Sequence, residues 1–97
     1  MKAVFITFNQ AHYEEILETM DYNNIRGFTY WEYVQGRGSK TGEPHYGSHA
    51  WPTMNSAIMA VVEDSKVDPF LDLLRQINKR AEAQGLRAFV WNVEKSI

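Results

Sequence analysis

Residues 35–53 read QGRGSKTGEPHYGSHAWPT. The stretch holds four of the chain's six glycines, two of its three prolines and two of its three histidines. Glycine and proline punctuate regular structure, so Gln35 to about Pro52 is read as one long loop. Before it, Ile25–Val34 (IRGFTYWEYV) is rich in β-branched and aromatic residues; after it, Met54–Glu63 (MNSAIMAVVE) is a second apolar run. Both are strand-like. A tight hairpin suffices to join two such strands. A connection beyond roughly 12–15 residues is uncommon in a compact domain unless it carries function or is disordered. The loop is therefore where activity is sought first, and placing two strands around it decides the fold.

Working outward, Lys2–Phe8 is a predicted strand and Asn9 can cap the helix after it. There Tyr13, Ile16, Leu17 and Met20 recur at i, i+3, i+4 and i+7, with Glu14, Glu15 and Glu18 on the other face. Acids early in a helix suit its dipole. A second helix carries the stripe Val67, Phe70, Leu71, Leu74, Ile77 and Ala81 and is stopped by Gly85. Ser65 or Asp68 can cap it; Asp68 before Pro69 is the better local match, since proline suits a first helical position. Leu86–Val93 (LRAFVWNV) is a fourth strand. The order β-α-β-β-α-β predicts an α+β, ferredoxin-like single domain over residues 1–97. Its four-stranded antiparallel sheet carries two helices on one face. Phe28, Tyr30, Trp31, Tyr33, Phe89 and Trp91 put aromatics on both faces by alternation. A bare face of that kind is a sticky patch on the order of several hundred Å², so a second copy is expected to cover it.

Composition narrows the function classes. The net charge of −2 gives no reason to expect nucleic acid, which calls for a basic surface. With no cysteine, thiolate chemistry and disulfides are excluded. The N-terminal MKAVFITFNQ is too short and too little apolar for a signal or spanning segment, so a soluble, cytoplasmic protein is expected.

The loop offers two kinds of chemistry. Gly36, Arg37, Gly38, Ser39, Lys40 and Gly42 combine glycines, which let backbone N–H groups converge on an anion, with two cations. This is not a GxxxxGK[ST] motif leading into a helix. Glu43, His45 and His49 lie within seven residues, and imidazoles with a carboxylate suit zinc, copper or nickel. A solvated polar loop is the plainer alternative for both groups. His12 is read as a surface or capping residue, and Trp51 as packing on the sheet or stacking on a flat ligand. No GxSxG elbow and no paired acid and base point to catalysis.

The run NIRGFTYWEYVQGRGSKTG resembles the second strand and loop start of the PII signalling family. Ile25, Gly27, Thr29 and Glu32 match that pattern in register, and Gly36, Gly38, Lys40 and Gly42 match the start of the family's long T-loop, with one residue inserted. VVEDSKVDPFLDLL is similar to the family's passage into its second helix. The resemblance implies a non-enzymatic homotrimer with ligands in clefts between subunits, ATP or ADP and sometimes 2-oxoglutarate with magnesium. It also implies a T-loop that contacts a partner protein, membrane transporters among them. The chain departs from the pattern at AQGLRAFVWNV, where the family's second glycine-rich loop would fall, and at a short tail carrying Lys95. The expectation is a diverged PII-like sensor lacking part of the usual nucleotide site. Its effector is an adenine nucleotide, another small anion or a divalent metal. Divalent-cation tolerance proteins share this trimeric fold, which keeps a metal-responsive alternative through Glu43, His45 and His49; a dimeric monooxygenase-type enzyme is a third reading. The double change His45→Ala, His49→Ala is expected to abolish Zn²⁺ or Cu²⁺ binding while sparing nucleotide binding. Metal affinity that survives it, read by calorimetry, removes the metal reading.

Overall fold

The protein, described here from a computed structural model, is defined over residues 1–36, 54–80 and 85–97. Four strands form one sheet: β1 (Lys2–Asn9), β2 (Thr29–Val34), β3 (Asn55–Val62) and β4 (Arg87–Asn92). Two helices connect them, α1 (Tyr13–Tyr22) and α2 (Asp64–Arg80). β1 runs antiparallel between β3 and β4, and β2 pairs with β3, giving the order β2-β3-β1-β4. This is the expected ferredoxin-like arrangement.

Alternation along the strands sorts the side chains. Val4, Ile6 and Phe8 of β1 and Ile58, Ala60 and Val62 of β3 point to one face and are buried. Ile16 and Met20 of α1 and Val67, Phe70, Leu74 and Ile77 of α2 pack there too. Tyr13, Leu17 and Leu71 border this core, as the helical spacing predicts. Ala81, the last residue of the expected stripe, lies outside the described residues. Each large apolar side chain removed from water contributes about 1.5–3 kcal/mol, so this single layer supplies most of the driving force. Bidentate pairing of Arg80 with Glu15, both Nη2–O distances 2.9 Å, ties the exposed end of α2 to α1.

Three local expectations need correction. The strand expected from Ile25 begins at Thr29. Ile25 instead completes a Schellman motif that ends α1: its N–H donates to the Met20 carbonyl at 2.8 Å, and the Asn24 N–H donates to the Asp21 carbonyl at 3.0 Å. Asn24 takes the left-handed φ of 56° this needs, and Ile25 and Met20 are both buried. Second, neither Ser65 nor Asp68 caps α2; both lie inside it, since it starts at Asp64. The earlier start brings Val67 onto the buried stripe, and that outweighs Pro69, which leaves the Ser65 carbonyl without its helical N–H. Third, the Asn9 side chain accepts from the Ala11 N–H at 2.9 Å, but the turn it caps is a 3₁₀ turn, Gln10–His12. His12 then stands at the N-cap of α1 with no side-chain capping bond.

Asn24→Gly is expected to raise stability by a few tenths of a kcal/mol, and Asn24→Ala to lower it by about 1 kcal/mol. Gly85, with φ of 70°, is also left-handed, and Gly85→Ala is expected to cost about 1 kcal/mol although its Cβ meets nothing within 4 Å. Urea unfolding of the three variants checks this.

Candidate functional site

The long loop leaves the sheet at the end where β2 finishes and β3 begins. The same end carries the close of β1 and the start of β4, so Thr7, Asn9, Gly36, Asn55 and Arg87 share it. The Gln10 N–H donates to the Met54 carbonyl at 3.1 Å, which holds the loop's returning root against the turn after β1. At the outgoing root, a Cβ added to Gly36 would lie 3.1 Å from Asn55 Nδ2, so a side chain there crowds the opposite root. Of the six residues expected to bind an anion, Gly36 alone is described; Arg37, Gly38, Ser39, Lys40 and Gly42 lie outside the described residues. So do Glu43, His45 and His49 of the expected metal group, and Trp51. Among the described residues, no three metal-ligating side chains cluster.

A β-bulge prepares the outgoing root. Trp31 pairs with Ala57 and Val34 with Asn55, so Glu32 and Tyr33 together face Ser56. Ser56 is fully buried, and its hydroxyl donates to the Glu32 carbonyl at 2.6 Å, replacing a ladder bond the bulge removes. Both Glu32 and Tyr33 face solvent. The Glu32 carboxylate, by its charge first and a hydrogen bond second, holds the Tyr33 phenol above its ordinary pKa.

The second feature is the face of the sheet opposite the helices. It carries Trp31 from β2, Ala57, Met59 and Val61 from β3, Ala3 and Phe5 from β1, and Phe89 and Trp91 from β4. Ala57 is small enough for Trp31 to reach across β3 and meet Phe5 edge to face, ring centroids 6.3 Å apart. Trp31, Val61, Phe89 and Trp91 are 42–58% exposed, and no described element covers them. A patch this apolar marks an interaction surface. Alternation in the sequence predicts it; the bulge and Arg87 went unnoticed there, and the cation heading β4 was the available signal for the latter.

The comparisons with known proteins agree with this architecture. The family model "Nitrogen regulatory protein P-II" matches residues 1–97. The chain belongs to the P-II family. No curated protein matches it. Among solved structures, it is similar to CPII, a nitrogen regulatory PII-like protein from Thiomonas intermedia K12, bound to ADP, AMP and bicarbonate. The TM-score is 0.78 at 23% identity, over 95% of this chain and 84% of that one. It is also similar to the apo form of CPII (TM-score 0.68, 18% identity, 95% and 89% covered). A PII-like signaling protein from Thermus thermophilus follows at TM-score 0.66 and 18% identity, 95% and 84% covered. At these identities the structures speak for the fold alone. Among the described residues, no helix of this P-II family member is long and apolar enough to cross a membrane.

Ser56→Ala is expected to lower stability by about 1–2 kcal/mol, because the Glu32 carbonyl loses its buried donor. Amide exchange at Tyr33 and Val34 is expected to speed up more than in β1. Uniform acceleration across the sheet would show that the hydroxyl does not hold the bulge.

Proposed function

We propose that this P-II family member is a non-enzymatic regulator, working in the cytoplasm, that senses a small anionic effector and acts on a partner protein through residues 35–52. Three copies assemble through their apolar sheet faces, and the effector binds where the loop leaves the sheet, between copies. What supports this most is the joining of two features: the loop's roots, Gly36 and Asn55, sit on the sheet whose uncovered face presents Trp31, Phe5, Phe89 and Trp91. A loop rooted at the rim of an intersubunit face can report an effector there by ordering or releasing itself.

The effector class is an adenine nucleotide, as in the CPII structures with ADP and AMP, where bicarbonate is bound too. Backbone N–H groups around Gly36, Gly38 and Gly42, with Arg37, Ser39 and Lys40, are the proposed phosphate cradle. Arg87, at the loop-bearing end of β4, adds a further cation. A membrane transporter is one candidate class of partner. The metal alternative stands on Glu43, His45 and His49; among the described residues, no three metal-ligating side chains cluster.

Calorimetry with ADP, AMP and ATP, with and without bicarbonate, tests the reading. Saturable binding of at least one nucleotide is expected, weakened about tenfold or more in Lys40→Ala or Arg87→Ala, because each removes a charge-assisted contact. Silence with every nucleotide, or binding indifferent to both substitutions, would contradict it.

A further inference from the structure

Neighbouring residues of a strand point to opposite faces. At the end of β2 they do not. Glu32 and Tyr33 both face solvent, and the Tyr33 phenol donates a hydrogen bond to the Glu32 carboxylate, a contact between neighbours that the bulge brings about. The bulge stores one residue: Trp31 faces Ala57, yet Val34 faces Asn55. A side-chain bond holds it, from the fully buried Ser56 hydroxyl to the Glu32 carbonyl at 2.6 Å. Two residues beyond Val34 stands Gly36, at the outgoing root of the loop, close against Asn55.

The same two strands have a second register. Releasing the stored residue pairs Glu32 with Ser56 and Tyr33 with Asn55, which continues the ladder of Thr29, Tyr30 and Trp31 without a break. Two things then change. The end of β2 moves along β3 by one residue, about 3.3 Å, and carries the loop's root with it. Alternation also separates the bulge pair: Tyr33 joins Trp31 on the open face, and Glu32 turns to the helix side with Tyr30. Each register has its own advantage. The bulged one keeps a carboxylate in water and uses the Ser56 hydroxyl. The straight one restores the backbone ladder and adds a ring to the apolar face.

We propose that this bulge is the switch of the loop: β2 exchanges between the bulged and the straight register, and an anionic effector at the loop's root selects the straight one. The inference rests on the sensor reading above and supplies its regulation. Its direction follows from charge. In the bulged register Glu32 stands in water four residues before Gly36, where it repels an anion; the straight register turns it away from the face between copies. An effector that binds one register better shifts the population toward it.

Cross-strand proton contacts, measured by NMR in the full chain, read the register directly. The free protein is expected to show Val34 against Asn55, with relaxation dispersion at the Glu32, Tyr33 and Val34 amides from a minor straight form. Ser56→Ala removes the bond that holds the bulge, and Glu32→Val removes the charge that keeps residue 32 in water. Each is expected to raise the straight population about tenfold. Saturating ADP is expected to bring Tyr33 against Asn55. Val34 still against Asn55 in protein that calorimetry shows to be loaded with ADP would overturn the selection. No second register in either variant would overturn the exchange itself. Absence of ADP binding counts against the sensor reading instead, and the two free variants then decide whether β2 changes register.

Discussion

Strand β1 sits at the centre of the sheet, hydrogen-bonded along both edges, and its alternation governs what surrounds it. Val4, Ile6 and Phe8 point to one side and are sealed by α1 and α2. Ala3, Phe5 and Thr7 therefore point to the other, and register carries the same sorting into β3, β4 and most of β2. A one-residue slip would exchange the two sets, so the buried side fixes the open side. The helices are used up on one face. The other keeps Trp31, Val61, Phe89 and Trp91 partly in water, and covering such a face would raise the buried fraction of a small fold.

The loop-bearing end of the molecule follows from the same constraint. β1 and β3 pair from end to end, so the turn after β1 and the loop's return to β3 are brought side by side, joined by the bond from Gln10 to Met54. On β2 the bulge at Glu32 and Tyr33 breaks the alternation just before the loop departs, and buried Ser56 makes good the bond this removes. The segment that resembles the T-loop thus starts from a root held by defined hydrogen bonds and by the close approach of Gly36 to Asn55.

Much of this was legible in the sequence, for physical reasons. Helical periodicity placed Ile16, Met20, Phe70, Leu74 and Ile77 in the core, and alternation in FTYWEYV and AFVWNV foretold two apolar faces. The misreadings came where local and tertiary signals compete. Ile25 has the chemistry of a strand residue but closes the Schellman motif, which depends on Asn24 taking a left-handed φ. Asp68-Pro69 has the local signature of a helix start, yet burial of Val67 extends α2 back to Asp64. The bulge leaves no mark in composition, because one extra residue shows only when two strands are paired. Arg87 was visible as a cation but gains meaning only when the sheet order brings β4 to the same end as the loop. Of the six loop residues that the sequence offers for an anion, Gly36 alone falls among the described residues.

The central claim is that the open face is completed by copies of this chain. Light scattering coupled to size exclusion, at micromolar concentration and moderate salt, tests it most directly. The account predicts a single species with three times the 11.3 kDa mass of one chain, unchanged on dilution tenfold. A folded species of one-chain mass would contradict it, since Trp31, Phe89 and Trp91 would then face water in the working protein, and a two-chain mass would contradict the trimeric arrangement.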